Sequence, residues 1–122
     1  DIHHHWIRDE EYIEANDDRV KRVIDSWRGQ RPTMHYSYSR DEHLAVANLG
    51  DKTHTEMHDI KMLLERGCKK QKLRAHSDLL PNKAVNDWAL SFGENFDIQT
   101  EAKGKNIAAE QLYRQAVEKS VI

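Results

Sequence analysis

The sequence predicts a mainly α-helical domain with a small antiparallel β-sheet, and three observations predict it. Apolar residues recur at spacings of three and four along several stretches, two or three shorter stretches alternate with period two, and glycine or proline closes most of them. At 122 residues the chain is the size of one domain. Only 38% of it is hydrophobic, 33% is charged and its mean hydropathy is −0.91, so the core must be built from narrow apolar stripes. The charge is balanced, 19 basic residues against 21 acidic, with a net charge of −2. That balance argues against disorder by self-repulsion and against a wholly basic binder, while leaving room for a local basic patch.

Taken in order, residues 1–8 read as a flexible lead, with His3, His4 and His5 native rather than part of a tag. "DEEYIEANDDRVKRVIDSWRG" follows, with Ile13, Val20, Val23, Ile24 and Trp27 on one face of an amphipathic helix stopped by Gly29 and Pro32. In "TMHYSYS", Met34, Tyr36 and Tyr38 alternate with polar residues as in a half-buried strand. "SRDE" from Ser39 and "THTE" from Thr53 each match a capping box, in which a hydroxyl and a glutamate satisfy each other's backbone donors. They predict a short helix ending at Gly50 and a longer one from Thr53 to Arg66, capped by Gly67. "CKKQKLRAH" reads as an exposed strand with Cys68, Leu73 and Ala75 inward. After Pro81, Val85, Trp88 and Phe92 mark a helix that stops at Gly93. Phe96 and Ile98 mark a further strand before a turn through Gly104. Ala109, Leu112, Tyr113, Ala116, Val117 and Ser120 then line one face of a closing helix. Trp27 and Trp88 complete core stripes; Trp6 is either core or an exposed anchor for a partner or a second copy of the chain.

Helix, strand, short helix, turn, longer helix, glycine and strand is the order of a winged helix-turn-helix domain. The stretch "SRDEHLAVANLGDKTHTEMHDIKMLLERGCKKQKL" resembles that family, whose members commonly read "ELA..LG" before the turn and "L..LE.RG" after it. The resemblance covers a third to a half of the chain. It divides the single domain into a winged-helix-like part over 9–76 and a C-terminal helical extension over 77–122. It departs from the family at Glu56, where an apolar residue often packs, and in showing no second wing strand before Pro81.

The resemblance implies a non-catalytic, DNA-binding or RNA-binding accessory protein, DNA being favoured. Its recognition helix would begin at Thr53 and present His54, Thr55, His58 and Lys61 to base edges. Arg66, Lys69, Lys70, Lys72 and Arg74 would meet phosphates. From Arg66 to His76 there are five cations and no acid, in a chain of negative net charge. Two other readings stay open. A basic run is also what a solvated edge strand carries. The domain could instead be a protein-interaction or assembly module, or a homodimer, docking through its acidic first helix and its last helix.

Eight histidines raise the question of a metal. His54 and His58 stand four apart, a chelating spacing on a helix. His58-Asp59, with His43 upstream, is similar to the paired ligands of HD-type phosphohydrolases, though the gap is short for that family. Against a metal-dependent hydrolase, "HTEMH" is not the zinc-protease arrangement. The acids Glu10, Glu11, Glu14, Asp17 and Asp18 form a solvated face, and no nucleophile triad, phosphate loop or CxxC pair is present. The chain therefore reads as non-enzymatic, without cofactor or resident metal. One cysteine and no apolar run of membrane length point to a reducing, cytoplasmic setting.

Overall fold

The computed structural model of the chain describes residues 1–102 and 105–120. Among them the chain is mostly helical, as expected, with one small sheet. The order is α1 (Ile2–Asp9), α2 (Asp18–Ser26), β1 (Thr33–Tyr36), α3 (Asp41–Leu44), α4 (Ile60–Glu65), α5 (Lys70–Leu73), α6 (Lys83–Leu90), β2 (Asp97–Thr100) and α7 (Lys105–Ser120). Two 3-10 turns, Ala45–Ala47 and Gly50–Lys52, lie between α3 and α4. A single core joins these elements, with Ile7, Tyr36, Ile60, Leu63, Leu73 and Leu80 wholly buried in it. The turn expected through Gly104 lies outside the described residues, as does the side chain of Ser120.

The sheet is parallel, not antiparallel. β1 and β2 pair from Thr33 opposite Asp97 to Tyr36 opposite Thr100. The ladder continues past both ends, through Asp97 N–H to Pro32 O at 2.9 Å and Glu101 N–H to Tyr36 O at 2.7 Å. Parallel neighbours need a long crossover, and residues 37–96 supply it. The stretch expected as the antiparallel partner, 68–76, winds instead into the single turn of α5. Lysine, glutamine, leucine, arginine and alanine are good helix formers, and no β-branched residue stands among them. Of the expected antiparallel pairing one bridge remains, Ser39 with His76, beside Ser77 N–H to Tyr38 O at 2.8 Å.

Where a flexible lead is expected, α1 packs into the core. Asp1 Oδ1 caps it by accepting from His4 N–H at 3.0 Å, and Ile2, His3, Trp6 and Ile7 are buried. Trp6 is therefore a core residue rather than an anchor, and its Nε1 donates to His58 O at 3.2 Å. The expected long first helix is broken. Glu10 adopts a left-handed conformation (φ 60) that ends α1, and Asp17 Oδ1 starts α2 by accepting from Arg19 N–H at 2.8 Å. Trp27, expected in the core, forms the C-cap of α2 and is 40% exposed.

Neither capping box forms. Ser39 is wholly buried, and its hydroxyl donates to Leu73 O at 2.7 Å instead of capping α3. Thr53 Oγ1 donates back to Gly50 O, and the helix expected from Thr53 starts only at Ile60, where Asp59 Oδ1 accepts from Lys61 N–H at 3.0 Å. Its other end is as expected. Gly67 (φ 101) closes it with Gly67 N–H to Leu64 O at 3.1 Å and Cys68 N–H to Leu63 O at 3.0 Å, the paired bonds of a Schellman cap. The helix after Pro81 also forms as read, with Asn82 as its cap and Val85, Trp88 and Phe92 buried.

Candidate functional site

The residues expected to form a recognition helix do not share one. Thr53, His54, Thr55 and His58 lie in the irregular segment before α4, and only Lys61 is helical. The carbonyls of that segment are claimed by buried side chains. Thr53 O accepts from Tyr38 OH at 2.8 Å, His58 Nε2 at 3.2 Å and Asn82 Nδ2 at 3.3 Å. Asn82 Nδ2 also reaches Glu56 O at 2.8 Å, while Trp6 and Tyr12 both donate to His58 O. Burial pushes the Tyr38 phenol up to about 12, so it remains a donor at neutral pH. A helix here would spend those carbonyls on its own backbone; the side chains of Tyr38, Asn82, Trp6 and Tyr12 hold them instead.

His58 is buried and turned toward Thr53 O, whereas His54 Nε2 faces Asp41 at 3.4 Å. The two rings are thus engaged with different partners. Asp59 caps α4, and His43 lies elsewhere, half-buried on α3. Among the described residues no group of three histidine, cysteine or carboxylate side chains is placed to hold a metal ion.

The basic run divides. Lys70 Nζ meets Glu10 at 3.5 Å and Arg8 O at 3.4 Å, and Arg66 donates to Ala47 O at 3.1 Å. Lys69, Lys72 and Arg74 are exposed around α5. Cys68 is a buried free thiol whose Sγ lies 3.5 Å from His43 O, and burial raises its pKa.

A large opening lies elsewhere, beside α7. Two amides dock this helix: Gln111 Oε1 accepts from Leu80 N–H at 3.0 Å, and Gln115 Oε1 accepts from Asn86 Nδ2 at 3.0 Å. Gln115 Nε2 donates in turn to Lys83 O and Asp87 Oδ1, each at 2.9 Å. This docking turns α7 away from its apolar stripe by about one residue of helical rotation. Among the described side chains of the face expected to be buried only Leu112 is; Ala109 is exposed, Ala116 half-buried, and Tyr113 and Val117 are 69% and 42% exposed. Ala108 takes the buried place.

The stranded half of the stripe forms one wall of a groove of about 1180 Å³, made by Ala109, Leu112, Tyr113 and Ala116. The facing wall is the run from Ile98 to Ala102, and Arg40, Arg74 and His76 complete the rim. This is larger than most small-molecule pockets, which run to about 1,000 Å³. Arg40 pairs with Glu42, and Glu101, the one acid among the described residues lining the groove, stands 3.4 Å from His35 Nδ1. No sequence signal marked the groove as a site, but its α7 wall is the very stripe that helical spacing picked out as core.

No protein-family model, curated protein or solved structure matches this chain. Among the described residues no helix is long and apolar enough to cross a membrane.

Proposed function

We propose that this chain is a non-catalytic protein-interaction module that receives a segment of a partner protein in the groove between β2 and α7. One observation carries the reading. An apolar helical stripe that the sequence builds for burial is left largely uncovered by the described residues, and it lines an open groove above the usual size of a small-molecule pocket. A reducing compartment suits the buried free thiol of Cys68. The test is selection of a displayed library of random peptides, about twelve residues long, on the intact chain. Peptides should be enriched that lose binding when Ala109→Trp fills the groove. A selection that yields none, or peptides indifferent to that substitution, overturns the reading.

Nucleic-acid contact is the second reading, and one observation favours it. Lys61, Lys69, Lys72 and Arg74 are exposed and, among the described residues, have no carboxylate within ion-pair distance. Contact would then run through side chains around α4 and α5 rather than through a helix-turn-helix reading head. Replacing Lys69 and Lys72 with alanine should lower retention on duplex DNA and flatten its dependence on log salt by about two. Unchanged retention removes this reading.

A further inference from the structure

We infer that the groove takes its partner segment as a third strand on the free edge of β2, and that the segment is anionic where it passes Arg74. The inference rests on the reading of the groove as a protein-binding site and adds how the segment is held.

Its first support is the sheet itself. Among the described residues the sheet has two strands, so β2 has one paired edge and one unpaired edge. The bonds from Asp97 N–H to Pro32 O and Glu101 N–H to Tyr36 O fix which residues face β1. By strand alternation, the N–H groups of Ile98 and Thr100 face the other way. Consecutive residues from Ile98 to Ala102 line the groove. Side chains of both parities line a common space when a strand presents its edge, since a face shows every second residue only. The groove therefore runs along an open row of backbone donors and acceptors, with apolar side chains of α7 opposite. That is the arrangement in which an added strand gains backbone bonds and buries alternate side chains.

Charge chooses the occupant. Arg74 is exposed at the rim without a carboxylate within ion-pair distance among the described residues. Of the charged lining residues, Arg40 pairs with Glu42 and Glu101 stands 3.4 Å from His35 Nδ1. Among the described lining residues two arginines stand against one carboxylate, and Arg74 is the one left for a carboxylate on the incoming segment to meet. A second copy of the chain fits poorly: its own β2, paired antiparallel about Gln99, would set Asp97 against Glu101, and a concave surface does not fill its own copy.

The selected peptides, synthesised with a fluorescent label, provide the probe. Thr100→Pro removes an N–H that the sheet does not use, and edge strands tolerate proline there. Arg74→Glu reverses the rim charge. Each should weaken peptide binding about tenfold or more, about 1.4 kcal/mol, with melting temperature held, and the enriched peptides should share an Asp or Glu. Peptide binding should also slow amide exchange at Ile98 and Thr100 in the unsubstituted chain, which decides the matter should Thr100→Pro fail to fold. Peptides that lose binding to Ala109→Trp yet bind both other variants normally, or leave those two amides unprotected, overturn the inference while the groove reading stands. Peptides indifferent to all three substitutions overturn both.

Discussion

Asn86 on α6 donates from Nδ2 to Gln115 Oε1 on α7 at 3.0 Å, and this bond is the middle of a chain that ties the sheet to the last helix. On the other side of the same amide, Asn86 Oδ1 accepts from Tyr36 OH of β1 at 2.6 Å. Gln115→Ala should therefore release α7 without disturbing β1, because Asn86 Nδ2 keeps Leu80 O at 2.8 Å. The expected cost is about 1–2 kcal/mol. Amide exchange should rise along 105–120 and stay level at 33–36.

Four positions from Asn86 on the same helix, Asn82 serves two elements at once. Its Oδ1 caps α6 through Val85 N–H at 3.1 Å, and its Nδ2 holds the carbonyls of Thr53 and Glu56. Asn82→Asp preserves the cap but removes the donor, so it should fare no better than Asn82→Ala. Both should lose about 2–4 kcal/mol in denaturant unfolding. Rescue by aspartate would show that only the cap counts.

His3 is buried between two hydroxyls, with Nδ1 2.9 Å from Ser37 Oγ and Nε2 3.0 Å from Ser39 Oγ. Because the Ser39 proton goes to Leu73 O, Ser39 accepts from Nε2–H, and Nδ1 accepts from Ser37. The ring is thus neutral with its proton on Nε2. Burial first, then the neighbouring His4 and His76, lowers its pKa to about 3. The unfolded chain binds this proton near pH 6.5 and the folded chain does not. Stability from this group is therefore complete above about pH 6.5 and declines as pH falls toward 3, by up to about 1.4 kcal/mol per unit. His3→Gln should flatten that slope between pH 6 and 4 in paired unfolding titrations, and nitrogen chemical shifts should report the Nε2–H form.

Gly67 holds φ at 101, and a Cβ there would stand 3.3 Å from Val46 Cγ1. Gly67→Ala should cost about 1–2 kcal/mol. Adding Val46→Ala should return only the steric share, measured as a double-mutant cycle of melting curves.

The residues with local signatures were legible. Gly67, the Phe96–Ile98 alternation, the helix after Pro81 and the closing helix all sit where spacing put them, because caps and periodicity act over a few residues. The capping boxes at Ser39 and Thr53 misled for a tertiary reason. The Ser39 hydroxyl is taken by His3 and Leu73 and the Thr53 carbonyl by Tyr38 and Asn82, none of which lies within a helical turn of them, while the Thr53 hydroxyl turns back to Gly50 O. α5 was within reach of helix propensity alone, but Cys68, Leu73 and Ala75 also suit the inward side of an exposed strand. The groove was half visible. Helical spacing found the stripe on α7, yet nothing local tells that Gln111 and Gln115 outcompete it for the inner position.

The partnership of residue 33 with residue 97 also governs when the molecule can assemble. Such a distant contact must overcome the entropy of closing a long loop before it gains anything, which slows folding relative to helical neighbours of this size. During synthesis β1 emerges well before its mate, so both of its sides stay open until most of the polypeptide has left the ribosome. Until then its exposed backbone is the nascent chain's weak point for clumping with other strands.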